Sequence, residues 1–312
     1  MISAIRMRRS GPGRLRLPSA NSERPLSWWR ELTFVAVVYT AYEFSRGVHQ
    51  GGLTAAMTNG HRFLNWEDAW HLAPEHVLNQ ALHGVTFLAV VASYFYSTMH
   101  YIVTPAVLVW MYRKHADSYR FARTSLAVAT VTGLVGFYLI PTAPPRLLAG
   151  SGLRDTLADV SRWGWWGDEG SVPKGLGGLS NQFAAMPSLH VGWAIWCGVL
   201  LARYATTRTV RILGWLYPIA TSFVVMATGN HYLLDVFAGA IVMGIGALGA
   251  MLLQKLQHYV RSRRAMSVAV AAPHDTLSGA HDVLSVKPKA QRPSDPRPDR
   301  SSPANLNSDT SH

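Results

Sequence analysis

The sequence predicts an all-α polytopic membrane protein, a bundle of six transmembrane helices. Five stretches contain no Asp, Glu, Lys or Arg, and each is long enough for the about 20 residues that cross a bilayer as a helix. These stretches are residues 81–112, 124–145, 175–202, 212–230 and 236–254. A sixth stretch, residues 32–50, is a weaker candidate because Glu43 and Arg46 interrupt it. A soluble domain would not carry so many uncharged runs.

The distribution of charge divides the chain into a membrane domain and two tails. The net charge is +12 over 312 residues. Residues 1–30 hold seven Arg against one Glu, and residues 259–312 hold eight basic against five acidic side chains. These polar ends predict disordered cytoplasmic tails around a membrane domain at residues 31–258. Because the positive charge flanks apolar segments, it indicates a bilayer and no nucleic-acid partner.

The helix limits follow from the apolar runs and from the residues that bound them. Pro187 suits the first turn of the fourth helix, because its missing N–H is not needed there. Between the first two spans, residues 63–82 predict an amphipathic helix along the membrane interface. The spans are predicted at residues 31–48, 82–113, 121–140, 187–204, 210–228 and 231–257.

Basic residues indicate the orientation of the bundle. With six crossings, four basic segments fall on one side, which the positive-inside rule makes cytoplasmic. These segments are the N-terminus and residues 113–123, 203–211 and 255–264. Both termini are therefore expected in the cytoplasm, with the protein in the cell membrane. The segments expected outside are residues 50–80, 141–186 and 229–231.

Three polar clusters lie at the predicted outward ends of the helices. They read PTAPPR at residues 141–146, AAMPSLH at 184–190 and TGNHYLLD at 228–235. In the third cluster His231 and Asp235 are one helical turn apart, so the carboxylate can orient the imidazole. Topology alone is expected to bring these clusters to one membrane face.

The residue types in these clusters suit phosphate chemistry. Helix N-termini offer N–H groups to anions, and Arg146 offers a planar cationic fork. His231 could attack phosphorus, and His190 could protonate the departing oxygen. Ser188 could contact the phosphate or cap a helix. This scheme uses no cofactor and no metal ion.

The three clusters resemble the motifs of the type 2 phosphatidic acid phosphatase superfamily, and within it the inositolphosphotransferase branch of inositol phosphorylceramide synthase-like proteins. The resemblance covers about residues 30–257. It implies a phosphohistidine on His231, orientation of that ring by Asp235 and protonation of the leaving group by His190. It also implies that Arg146 and Ser188 bind the phosphate.

The chain departs from the commoner phosphatase pattern at three positions. Leu189 replaces a glycine of the second motif, Leu139 replaces a first-motif lysine and Val225 replaces an arginine before the third motif. The inositolphosphotransferase-like branch departs similarly and shares the Asn-His-Tyr sequence before its aspartate. The candidates to replace the missing charge are Asn230, Lys174, Arg154 and backbone N–H groups.

The function predicted from the sequence is cleavage of a lipid-linked phosphate at the extracytoplasmic face. The acceptor is left open between water and a sugar or polyol hydroxyl, as is the oligomeric state. Two alternatives come from other classes. A transporter could use a His/Asp proton path, although only His100 lies in the middle of a span. A zinc-dependent intramembrane hydrolase could use His190, His231 and Asp235 as ligands.

Overall fold

The computed structural model describes residues 27–48, 52–166, 174 and 182–271. The chain divides into two compact units, Met1–Tyr259 and Val260–His312. Most of the two predicted tails lies outside the described residues. The helices of the described part are α1 (Trp28–Val48), α2 (Leu53–Ala69), α3 (Pro74–His83), α4 (Thr86–Lys114), α5 (Ala116–Leu139), α6 (Thr156–Asp159), α7 (Leu189–Tyr204), α8 (Arg208–Ala227) and α9 (Leu233–Ala271).

The apolar helices confirm the all-α membrane fold, but they do not confirm the predicted number of spans. Among the described residues, four helices are long and apolar enough to cross a membrane, namely α4, α5, α8 and α9 as far as Arg264. Helix α7 has 16 residues; at 1.5 Å per residue it is about 24 Å long, less than the about 30 Å of a hydrocarbon core. Helix α1 contains four charged residues in its 21. The count of six spans is therefore not confirmed.

Helix α7 lies in the protein core. Nine of its 16 residues are buried, and they occupy several sides of the helix, as expected for a helix surrounded by others. Its two polar indoles find partners on α5, where Trp196 Nε1 donates to the Ala122 carbonyl at 2.9 Å and Trp193 Nε1 donates to Thr130 Oγ1 at 3.1 Å. These contacts position the N-terminal end of α7, which carries the second polar cluster.

Several predicted boundaries are corrected by the structure. Pro187 is not in the first turn of a helix, since α7 begins two residues later. The sixth predicted helix begins at Leu233 and continues beyond residue 257. The predicted amphipathic helix at residues 63–82 is two helices, because Pro74 begins α3 after a turn in which His71 has a φ of 55°. A proline is favoured at such a helix start, where its missing N–H costs nothing.

Helices α7 and α9 pack closely through glycine. A Cβ at Gly239 would collide with the backbone carbonyl of Ser188, and a Cβ at Gly192 would lie 3.1 Å from the Gly239 carbonyl. By contrast, a Cβ at Gly244, five residues further along α9, would meet no atom within 4 Å. The approach of the two helices therefore depends on the missing side chain at residue 239.

This packing predicts opposite effects for two glycine substitutions in α9. Gly239→Ala is expected to lower the free energy of unfolding by about 1–3 kcal/mol, because backbone must move to admit the methyl group. Gly244→Ala is expected to be neutral or to stabilise by about 0.5–1 kcal/mol, since alanine favours helix. The effects of both substitutions are measured as changes in the apparent Tm of the protein in detergent. Equal Tm values for the two variants would show that the close approach is not needed.

Candidate functional site

Backbone hydrogen bonds join the three polar clusters. The first and second clusters pair through an isolated parallel bridge between Thr142 and Ala184. The second and third meet where the Ser188 N–H donates to the Asp235 carbonyl at 3.1 Å. The structure thus brings together segments that are up to 94 residues apart in sequence.

The first and third clusters are joined by two further bonds. The Arg146 N–H donates to the Gly229 carbonyl at 2.9 Å, and the Tyr232 hydroxyl donates to the Ala143 carbonyl at 2.7 Å. Gly229 has a φ of 73°, and a Cβ there would lie 2.8 Å from the Arg154 carbonyl and 3.2 Å from Cβ of Arg146 in the first cluster. A glycine is therefore required where the third cluster passes the first.

His231 and Asp235 form a buried pair. His231 Nδ1 lies 3.2 Å from Asp235 Oδ2, and the Tyr232 N–H donates to the same oxygen at 3.0 Å. The side chains are 4% and 0% exposed. With Asp235 ionised, its carboxylate can only accept hydrogen bonds, so Nδ1 of His231 would donate its proton to Asp235 and Nε2 would keep its lone pair.

His190 lies beside His231 at the start of α7. The two ring centroids are 5.7 Å apart. The imidazole of His190 stacks on Tyr96 at 4.7 Å and meets His100 edge-on at 4.5 Å, both residues of α4. His100 therefore belongs to the same cluster. Tyr96 gave no signal in the sequence, because an aromatic residue in an uncharged run is typical of any apolar span.

Ser188 directly precedes α7, but its side chain does not cap that helix. Its Oγ is buried and has no hydrogen-bond partner among the described residues. A buried hydroxyl without a partner is unfavourable and leaves an atom available to bind a ligand. Of the two interpretations for Ser188, the capping bond is absent and phosphate contact remains.

Arg146 is buried in an ion pair that the sequence did not predict. Its Nε donates to Asn230 Oδ1 at 3.0 Å, and Nη1 donates to Asp155 Oδ2 at 2.6 Å. The arginine side chain is 4% exposed. Asn230 also donates to Thr228 Oγ1 at 3.0 Å, so it links the guanidinium to the third cluster.

The positions that depart from the phosphatase pattern have apolar roles. Leu189 is 5% exposed and packs against Gly133 of α5, where a Cβ would collide with it. Val225 is 1% exposed, and its carbonyl accepts from the N–H groups of Asn230 and His231 at 3.1 Å each. Leu139 is 67% exposed at the end of α5. None of these three positions supplies charge to the site.

Two of the proposed replacement cations are engaged with other groups. Lys174 Nζ donates to the Ser161 carbonyl at 2.9 Å. Arg154 Nε lies 4.0 Å from Asp159 Oδ2, with both side chains well exposed. Asn230, the other side chain proposed to replace the missing charge, lies in the third cluster and accepts a hydrogen bond from Arg146.

Helices α2 and α3 form one wall of the site, which sequence reasoning missed. The Ala56 carbonyl accepts from the Ala143 N–H at 3.0 Å, and Asn79 Nδ2 donates to the Arg154 and Ala227 carbonyls at 3.0 and 2.8 Å. Glu67 Oε1 accepts from the Leu234 N–H at 2.5 Å. Burial, followed by the neighbouring carboxyl of Glu75, raises the pKa of Glu67 to about 9. The amphipathic pattern of this segment predicted an interfacial position and gave no sign of these contacts.

The fold and the clusters define an all-α membrane protein with a histidine-centred polar site. Its sequence matches the model of the PAP2 superfamily over residues 61–249, more than half of the chain. No match is found among curated proteins or solved structures. The chain belongs to the PAP2 superfamily, which indicates a phosphatase or phosphotransferase. The match is to the superfamily and does not assign the inositolphosphotransferase branch.

The burial of Arg146 predicts that its acidic partner is needed for stability. Asp155→Asn keeps the shape of the side chain but removes the charge that offsets the guanidinium, and is expected to cost about 1–3 kcal/mol of unfolding free energy. Asp159→Asn is the matched control, since its ion pair is exposed and is worth about 0–1 kcal/mol. The stabilities of the two variants are compared by their apparent Tm values in detergent. A larger loss in the control than in Asp155→Asn would contradict this role.

Proposed function

We propose that the protein is an integral membrane lipid phosphate phosphatase or phosphotransferase that forms a phosphohistidine on His231. The observation that supports this proposal is the buried pair of His231 and Asp235, with the ring of His190 5.7 Å away. Asp235 holds Nδ1 of the nucleophile, so Nε2 is the nitrogen that would react. A carboxylate in this position also stabilises the positive charge that the ring gains during attack.

In the first step Nε2 of His231 attacks phosphorus in line with the bond to the lipid oxygen. The N–P bond forms as the P–O bond breaks, and His190 gives its proton to the departing oxygen. The phosphate oxygens would be held by the Ser188 hydroxyl, by Arg146 and by N–H groups at the start of α7. The free Ser188 Oγ supports this placement of the phosphate.

In the second step a hydroxyl acceptor replaces the histidine. His190, now neutral, takes a proton from the acceptor as its oxygen attacks phosphorus, and the N–P bond breaks. Water as acceptor gives a phosphatase, whereas a sugar or polyol hydroxyl gives a phosphotransferase. The Asn-His-Tyr sequence before Asp235 favours the inositolphosphotransferase-like branch, with a lipid-linked phosphate as donor.

The alternatives from other classes receive less support. His100 would be the mid-membrane group of a transporter, but it contacts His190 and so belongs to the same polar cluster. For the zinc hydrolase, no group of three His, Cys, Asp or Glu side chains within residues 27–48, 52–166, 174 and 182–271 is arranged to hold a metal ion. Membership of the PAP2 superfamily also favours phosphoryl transfer.

Trapping of the phosphoenzyme tests the proposed mechanism. Purified protein incubated with lipid phosphate labelled with ³²P and quenched in base is expected to carry an acid-labile label, which His231→Ala removes. His190→Ala is expected to slow formation of the label by about 100- to 10,000-fold with a lipid alkoxide leaving group. The loss should be smaller with an aryl phosphate, because its leaving group needs little protonation.

His61→Ala provides the matched control, because His61 is an exposed histidine of α2 inside the matched region. It is expected to label like the wild type.

Products released from the wild type separate the two acceptors, as inorganic phosphate indicates a phosphatase and a phosphorylated polyol indicates a transferase. Turnover without any label, together with full activity in His231→Ala, would overturn the mechanism.

We further propose that the site opens to the extracytoplasmic side of the cell membrane, with both termini in the cytoplasm. In a Cys197→Ala background, Asn65→Cys is expected to react with a membrane-impermeant maleimide in intact cells. Thr206→Cys is expected to react only after the cells are permeabilised. Both positions are exposed, so access across the bilayer decides the labelling. The reverse pattern would place the site on the cytoplasmic side.

A further inference from the structure

Two carboxyl groups with no role in the proposed chemistry are buried beside the site. Glu67 of α2 is 1% exposed and Glu75 of α3 is 0% exposed. Removing an ionised carboxylate from water is costly unless it is paired, so two together without a cation would be unfavourable. Neither helix is among the four that are apolar and long enough to span a membrane.

The oxygen atoms of the pair indicate how this cost is avoided. Glu67 Oε1 accepts from the Leu234 N–H, but Glu67 Oε2 and both oxygens of Glu75 have no N–H or O–H partner among the described residues. The two carboxyl groups are within hydrogen-bonding reach of each other. Carboxylates can only accept, so a bond between them requires a proton.

The surroundings of the pair are acidic. The Asp235 carboxylate acts on Glu67 and on Glu75, and the Tyr232 hydroxyl lies close enough to be influenced by all three. His231 faces this group through its bond to Asp235. With burial and two carboxylates nearby, loss of the last proton from the pair would place three negative charges together.

We propose that Glu67 and Glu75 share one proton and that this neutralised pair positions the start of α9, and with it Asp235 and His231. Glu67 Oε1 accepts one of the N–H groups that every helix leaves unpaired at its start. Glu67 Oε2–H donates to Glu75, which fixes α3 to the same point. The pair acts through the helix start and does not touch the phosphate. The effect of the carboxyl pair on catalysis rests on the proposed function. The sharing of a proton between Glu67 and Glu75 does not.

The raised pKa of Glu67 determines how the stability of the folded protein should depend on pH. The folded protein holds this proton more tightly than the unfolded chain, so unfolding free energy falls as pH rises from the ordinary pKa of 4.5 towards about 9. Glutamine reproduces the protonated acid at residue 67, since its oxygen can accept from Leu234 and its amide can donate to Glu75. Substitution with glutamine therefore removes the pH dependence and retains the contacts.

The test compares Glu67→Gln with the wild type and with Asp68→Asn, a matched control on the same helix whose side chain is 54% exposed. The Tm gain of Glu67→Gln over the wild type is expected to be larger at pH 8.5 than at pH 5.5 by at least about 2–4 °C. Asp68→Asn should show no such trend. Glu75→Gln is the reciprocal variant, expected to show the same trend.

Two further measurements separate positioning from simple stability. Infrared difference spectra should show a protonated carboxyl band at neutral pH that both glutamine variants lose. Phosphoenzyme formation should stay close to wild type in Glu67→Gln at pH 7 but fall about 100-fold in Glu67→Ala, because a misplaced nucleophile reacts slowly. At alkaline pH, Glu67→Gln should still form the phosphoenzyme at a rate that the wild type no longer reaches.

The outcomes decide the proposal separately from the function. A pH-independent Tm difference for both glutamine variants, or an infrared band that survives in both, would overturn the shared proton. Equal labelling rates in Glu67→Ala and Glu67→Gln would overturn the positioning role. Absence of phosphoenzyme in the wild type would instead contradict the proposed function and leave the stability and infrared tests valid.

Discussion

The hydrogen bond from the Ser188 N–H to the Asp235 carbonyl holds the beginnings of α7 and α9 side by side. His190 follows the donor and His231 precedes the acceptor, so this contact sets the spacing between the two imidazoles. It is possible only because Gly239 has no side chain at the crossing. Ser188 and Asp235 are both fully buried, so breaking this bond would leave two backbone groups without partners, which is costly. The arrangement of the polar site depends on it.

The balance of charge around the histidines differs from what a phosphate site built on several cations would have. Arg146 is already paired with Asp155, and a second carboxylate, Asp235, lies against His231. Apolar side chains occupy the positions where the phosphatase pattern has other basic residues. In the proposed mechanism, much of the attraction for the substrate anion must therefore come from N–H groups at helix starts and from the Ser188 hydroxyl.

Sequence alone predicted those parts of the structure that depend on local periodicity. Uncharged runs located α4, α5, α8 and α9, and a spacing of four residues predicted the contact between His231 and Asp235. The predicted count of six spans was not confirmed, because α7 is short and surrounded by other helices, which only tertiary packing reveals. Asp155 and Glu67 were missed for a related reason. Their partners are distant in sequence or are backbone groups, and an acidic residue in a polar segment is usually exposed.

The contact between Ala56 and the first cluster has a consequence for how this kind of protein is delimited. Its carbonyl accepts from the Ala143 N–H, yet residue 56 precedes the stretch at 61–249 that family comparison recognises. The smallest self-sufficient unit is therefore larger than its recognisable sequence signature. Excision or grafting guided by that signature would omit the first turns of α2 and leave a main-chain donor of the first polar cluster without its acceptor.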